Sequence, residues 1–154
     1  MRQTISMLVL ALIGANAPAA AAETVAPIYQ YLSAVNEKMQ LHYSVLNDKL
    51  AESRSANEIV VIRQNMAAAL AVGTVIGYLG DLYGLQGMMK DKDDRGHIDA
   101  VLGFRRDHFI PYCESQAKDL ELSMAHVKTA EISKELSAMR ADLVEACARI
   151  KKEQ

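Results

Sequence analysis

The chain has 154 residues and a formal charge of −2, and it contains no tryptophan and only two phenylalanines. This length suits a single domain. The near-neutral charge argues against a nucleic-acid-binding protein, which needs a basic face to neutralise phosphates. The many alanine, leucine and methionine residues favour packed helices over a sheet-rich core.

Residues 1–22 have the features of a cleavable export signal. Arg2 precedes an apolar run from Ile5 to Ala15, and alanines just before Glu23 supply the small side chains that signal peptidase reads. We therefore predict cleavage before Glu23, a mature domain of residues 23–154 and a periplasmic location. The apolar run is shorter than the roughly 20 residues that span a bilayer.

The first predicted helix runs from about Val25 to Ala51. Its apolar side recurs at alternating steps of three and four residues, and this heptad stripe consists of Val25, Ile28, Leu32, Val35, Met39, His42 and Leu46. His42 is the only histidine on an apolar stripe. We interpret it as a hydrogen-bonded core residue, and the alternative is a ligand-binding or haem-binding role.

A capping box at Ser55 and Glu58 predicts the start of a second helix, antiparallel to the first and continuing to about Tyr83. Its segment Met66–Gly80 carries no charge but is too short for a permanent membrane span. Four glycines lie on one face of this helix: Gly73, Gly77, Gly80 and Gly84. Each interior glycine costs about 1 kcal/mol relative to alanine. The stripe therefore predicts close helix packing, and the alternative is contact with a ligand, a partner or a membrane.

The stretch from Gly84 to Gly96 is predicted to be the one long connection and a candidate binding loop. Within it, the segment Asp91–Asp99 resembles an EF-hand calcium loop in its spacing of acidic residues and glycine. Arg95 and Leu102 stand where that loop requires oxygen ligands. We therefore interpret the segment as an acidic loop that caps the next helix.

The third helix is expected to begin near His97, with Asp94 as its N-cap, and to continue towards Val127. Pro111 should kink or interrupt it, since a proline inside a helix removes a hydrogen bond. The polar group Arg105–His108 is interpreted as a surface ion-pair patch, with a recognition patch as the alternative.

A fourth helix is predicted because the apolar stripe changes phase between Val127 and Ile132. A hairpin folded at this point places Cys113 opposite Cys147, whereas one continuous helix would separate them by roughly 50 Å. An isolated cysteine pair in an exported protein is typical of a disulfide. We predict a Cys113–Cys147 bond on the inner seam of helices 3 and 4.

These elements predict an all-α fold, an antiparallel bundle of about four helices with helices 3 and 4 joined as a disulfide-tied hairpin. The sequence contains no nucleophile elbow, phosphate loop or zinc-protease motif, and we expect no enzyme activity, metal or cofactor. The expected function is a non-catalytic exported interaction or binding protein with a periplasmic or envelope partner, acting through the 84–96 connection or the glycine face. The alternatives are a carrier of an apolar ligand or non-covalent haem in the bundle core, and a membrane-active helical protein.

Overall fold

A computed structural model describes residues 27–153, which fold into a four-helix bundle. The helices in chain order are α1 Pro27–Glu52, α2 Ala56–Met88, α3 Lys92–Met124 and α4 Ala130–Lys152. Each helix packs against the next, α4 returns beside α1, and α2 and α4 meet across the diagonal. The predicted all-α bundle is confirmed. The predicted signal and its cleavage site before Glu23 lie outside the described residues.

One apolar core receives side chains from all four helices. The heptad stripe predicted for α1 is buried from Ile28 to Leu46 and includes His42. The apolar set that predicted α4 is also buried, from Ile132 to Ile150. Burying a large aliphatic side chain contributes about 1.5–3 kcal/mol. These two stripes therefore determine which sides of α1 and α4 face the core.

The glycines of α2 allow α1 and α2 to pack at short range. A Cβ added at Gly73 would lie 3.0 Å from Met39 Cβ, and one at Gly80 would lie 3.3 Å from Leu32 Cβ. The α1 side chains opposite the glycines are Met39 and Asn36 for Gly73, Asn36 for Gly77, Leu32 for Gly80 and Tyr29 for Gly84. The close helix approach predicted from the stripe is therefore present between α1 and α2.

The long connection predicted from Gly84 to Gly96 is wrong, because α2 continues to Met88 and α3 begins at Lys92. Gly84 lies inside α2, where its missing side chain leaves room for the ring of Tyr29. The glycine that suggested a helix end is thus a packing residue within the helix.

The start of α3 also differs from the prediction. Asp91, not Asp94, is the N-cap, and its carboxylate accepts hydrogen bonds from the backbone N–H groups of Asp93 and Asp94 at 2.8 and 3.0 Å. The segment that resembles a calcium loop is therefore helical from Lys92 onwards. The expected acidic cap of α3 exists, but it lies nearer to the amino terminus than the predicted start at His97.

The helix α3 passes through Pro111 without interruption. Proline removes one backbone N–H, and its ring crowds the carbonyl four residues earlier. Phe109, Ile110 and Cys113 are buried on either side of it. This burial holds both halves of α3 against the core and offsets the cost of the proline.

The α3–α4 hairpin is joined by the predicted disulfide between Cys113 and Cys147. The two Cα atoms are 6.0 Å apart across a sequence separation of 34 residues, within the range that a disulfide allows. Both cysteines are buried in the seam between the helices. The phase change that predicted a turn corresponds to the end of α3 at Met124 and the start of α4 at Ala130.

Candidate functional site

The four glycines predicted as possible ligand or partner contacts face α1 in the structure. The space left by Gly73, Gly77, Gly80 and Gly84 is filled by α1 side chains. A partner could reach this face only if α1 moved away from α2. The exposed side of α2, which includes Tyr78 and Leu85, lies next to the glycine face and away from the buried stripe of Val72, Ile76 and Leu79.

His42 lies at the α1–α4 interface between two carboxylates. Its Nδ1 is 2.6 Å from Glu135 Oε1, its Nε2 is 3.1 Å from Asp142 Oδ2, and the residue is only 7% exposed. Burial raises the pKa of Asp142, but hydrogen bonds from Lys38 and His42 outweigh it and hold the pKa below its usual range. Both ring nitrogens of His42 are thus engaged within the bundle, as a hydrogen-bonded core histidine requires.

Glu58 connects α2 to the turn before α4. Ser55 Oγ accepts the Glu58 N–H at 3.5 Å, which is one half of the predicted capping box. The Glu58 carboxylate instead accepts the N–H groups of Lys128 and Thr129, both at 2.8 Å, and the Thr129 hydroxyl at 3.0 Å. The hydrogen bonds from the Thr129 and Lys128 backbone hold the pKa of Glu58 below its usual value.

A group of exposed apolar side chains lies on the outer sides of α2 and α3. Phe104 is 58% exposed, Tyr78 43% and Val101 41%. Leu85 extends the α2 side two turns beyond Tyr78, and a hydrogen bond between Gln86 and Asp99 joins the two helices beside it. We define the α2–α3 apolar face as Tyr78, Leu85, Val101, Phe104 and Arg105.

Arg105 joins the aromatic rings of this face. Its guanidinium carbon is 5.6 Å from the centroid of the Tyr78 ring and 5.9 Å from that of Phe104, within cation–π distance of both. The His108 ring also packs near Phe104, with 4.2 Å between the two ring centroids. The face therefore combines apolar area with one cation that aromatic rings hold in place.

The sequence prediction of an ion-pair patch at Arg105–His108 describes only part of this surface. Arg106 and Asp107 form an ion pair at 3.7 Å, whereas Arg105 and His108 lie against aromatic rings. Arg105 and His108 therefore belong to a group of aromatic contacts and not to the ion pair.

Phe104 and Tyr78 were not singled out from the sequence, although a signal for Phe104 existed. Val101 and Phe104 recur at a helical spacing of three, yet they lie off the buried stripe of α3 that contains Leu102 and Phe109. Two large apolar residues away from the core-facing stripe of a helix indicate an exposed apolar surface.

One helix among residues 27–153 is long and apolar enough to cross a membrane by length and composition. This helix is α2, whose most apolar 18 residues have a mean hydropathy of 1.7 and are 44% buried in the bundle. A core helix of a soluble protein passes the same test. Within the described part of the chain, no group of three or more His, Cys, Asp and Glu residues could hold a metal ion.

Comparisons of the chain with protein-family models, with curated proteins and with solved structures found no match.

Proposed function

We propose that this chain is a non-catalytic exported helical protein that binds a partner protein through the α2–α3 apolar face. The observation that carries the proposal is the exposed cluster in which Arg105 lies between Tyr78 and Phe104. Aromatic residues and arginine are enriched at protein interfaces, and they supply many of the residues that dominate binding energy. Rings already held by a cation lose little conformational freedom on binding.

The composition of the face favours a protein over a lipid surface as the partner. A helix that lies on a membrane has an apolar side flanked by lysine and arginine. The α2–α3 apolar face contains a single cation, Arg105, and the whole chain has a net charge of −2. The matching partner is an apolar surface with a carboxylate placed to meet Arg105.

Export is part of the proposal and rests on two features. The first is the amino-terminal segment with an apolar run followed by small residues. The second is the Cys113–Cys147 bond, since disulfides persist in oxidising compartments. Mass spectrometry of the exported protein should give a chain that begins at or close to Glu23. Retention of residues 1–22 in that form would contradict export by a cleaved signal.

Partner capture tests the binding surface directly. Tagged protein is purified from the periplasm of its own host after mild cross-linking, and the recovered proteins are quantified for wild type, Phe104→Asp and Val144→Asp. Val144 is the matched control, because it is a 44% exposed apolar residue on α4, outside the α2–α3 apolar face.

We expect a protein that wild type and Val144→Asp recover equally and that Phe104→Asp recovers at least about tenfold less, since an aromatic interface residue often contributes 2 kcal/mol or more. If all three proteins recover the same partners in the same amounts, the α2–α3 apolar face is not the binding surface. If the protein floated with liposomes and Phe104→Asp did not, the α2–α3 apolar face would bind a membrane and not a partner protein.

A further inference from the structure

A cavity of about 610 Å³ opens at the end of the bundle where α1 begins and α2 ends. All four helices contribute to its walls, and its volume lies within the roughly 300–1,000 Å³ typical of small-molecule sites. Ile28 and Leu102 form apolar parts of the wall and are almost fully buried. Arg106 and Arg149 bring two guanidinium groups to the same cavity.

Both guanidinium groups retain unused hydrogen-bond donors. Arg106 Nη1 donates to the backbone oxygen of Glu153 at 2.9 Å, while its Nε makes no hydrogen bond within residues 27–153 and lies 3.7 Å from Asp107 Oδ1. Arg149 Nε is 3.7 Å from Glu153 Oε1, also beyond hydrogen-bond distance. Each arginine therefore has a carboxylate at ion-pair distance, but its Nε is not hydrogen-bonded to that carboxylate.

Tyr83 places a buried hydroxyl group beside Arg106 in the wall of the cavity. The residue is 4% exposed and lines the cavity, and its hydroxyl lies beside the Arg106 guanidinium without a well-aligned hydrogen bond. Buried hydroxyl groups are normally paired, since an unpaired one costs free energy. Burial raises the pKa of this hydroxyl, and hydrogen bonding to the adjacent Arg106 guanidinium, together with its positive charge, opposes the rise.

No acidic side chain that lines the cavity hydrogen-bonds the Tyr83 hydroxyl or Arg106 Nε. Asp99 accepts a hydrogen bond from Gln86 Nε2 at 2.6 Å, and Glu153 contacts Arg106 only through its backbone oxygen. The Tyr83 hydroxyl and Arg106 Nε are covered by neighbouring atoms. For a ligand to reach them, the Arg106 side chain, which is 18% exposed, would have to turn towards the cavity.

We propose that this cavity binds a small organic molecule with an oxyanion head group, a carboxylate or a phosphate, and an apolar body. Arginine nitrogens only donate hydrogen bonds, and their planar fork matches the paired oxygens of an oxyanion. The apolar body would lie against Ile28 and Leu102. This site is separate from the α2–α3 apolar face, so either proposal can fail without the other.

Gly103 allows a test that fills the cavity without disturbing the fold. It lines the cavity, and a Cβ added there meets nothing within 4 Å. A leucine at this position therefore occupies cavity space, and it also replaces a helix-weakening glycine. Gly96 is the matched control, because it is another α3 glycine with open space around its Cβ position and it does not line the cavity.

The experiment is isothermal titration calorimetry on protein purified from its own host, with octanoate, octyl phosphate and 1-octanol as probes. We expect saturable binding of one anion per chain and binding of 1-octanol at least about tenfold weaker, because charge-assisted hydrogen bonds are the stronger ones. Gly103→Leu should weaken anion binding by a similar factor, and Gly96→Leu should leave it unchanged. Tighter binding of octanoate would identify the head group as a carboxylate, and tighter binding of octyl phosphate would identify it as a phosphate.

Three results would overturn the proposal: no saturable binding of either anion, equal binding of 1-octanol, or unchanged binding to Gly103→Leu. A thermal melt confirms that Gly103→Leu is folded. If it is not, Arg149→Met serves instead, since the Arg149 side chain is 47% exposed. That variant should lose the preference for octanoate over 1-octanol, and an unchanged preference would exclude the arginine-based site.

Discussion

Glu58 illustrates how one side chain can serve the start of another helix. In a capping box, the glutamate accepts the N–H of the N-cap residue of its own helix. Here the carboxylate of Glu58 accepts the N–H of Thr129, which is the N-cap of α4. Its negative charge also lies at the positive end of the α4 dipole. The sequence pattern placed the start of α2 correctly, but it contained no information about a partner 71 residues away.

The stability that Glu58 provides should depend on pH. Its pKa in the folded protein is below the ordinary value of 4.5, so its contribution is fully present above that value. The contribution is lost as the pH falls through the lower, folded-state pKa. Glu58→Gln should lower the melting temperature at pH 7 by on the order of 5 °C, and the difference from wild type should shrink towards pH 3.

Melting curves from pH 3 to pH 7 measure this effect. Glu37→Gln, at an exposed position of α1, is the control, and its difference from wild type should stay small throughout. A difference between Glu58→Gln and wild type that is constant across this pH range would mean that the charge of Glu58 does not contribute.

At the scale of elements, the α1–α2 contact depends on side chains that α2 lacks. Gly73→Leu should destabilise the protein by about 1–3 kcal/mol through overpacking, because the nearest atom, Met39 Cβ, is fixed to the α1 backbone. Gly77→Leu should cost less, since its nearest neighbour is the movable amide end of Asn36. Urea denaturation of each variant provides the free energy of unfolding.

Gly96→Ala is a control that we expect to raise the free energy of unfolding, whereas Gly73→Leu should lower it. Open space surrounds its Cβ position inside α3, so alanine should stabilise the protein by about 0.5–1 kcal/mol. Alanine has the higher helix propensity, and it reduces the conformational entropy of the unfolded chain. Stabilisation by Gly73→Leu to the same extent would show that α1 and α2 do not approach closely in solution.

Helical periodicity accounts for most of what could be predicted about these elements. The buried stripes of α1 and α4 and the turn between α3 and α4 followed from the spacing of apolar residues. The link between α2 and α3 did not, because Gly84 and the acidic run resemble a loop in composition. In the structure, Gly84 packs against Tyr29 inside α2, and Asp91 caps α3, so the link between the two helices is short. The exposure of Phe104 depends on which sides of α2 and α3 meet, and this packing is not encoded in local spacing.

At the scale of the whole molecule, the bundle consists of two hairpins held by different means. Close backbone approach joins α1 to α2, while a covalent bond joins α3 to α4. The bond closes a loop with a sequence separation of 34 residues. In the chain-entropy model, closing a loop of this size stabilises the folded state by about 3–4 kcal/mol.

Replacing the cysteines tests this contribution. Cys113→Ala with Cys147→Ala should lower the free energy of unfolding by about 3–4 kcal/mol, measured by urea denaturation under oxidising conditions. Cys147→Ala alone should lose a similar amount, since either change removes the one bond. If the single variant retained most of the wild-type stability, the disulfide would not contribute the expected free energy.

The number of cysteines has a consequence for how the chain matures. With two cysteines in the whole sequence, only one intramolecular pairing is possible, so oxidation within a chain cannot produce a wrong isomer. Proteins with more cysteines pass through slow thiol–disulfide reshuffling. This chain needs an oxidant but no isomerase, since a wrong disulfide can form only with another molecule, and dilution suppresses disulfides between chains.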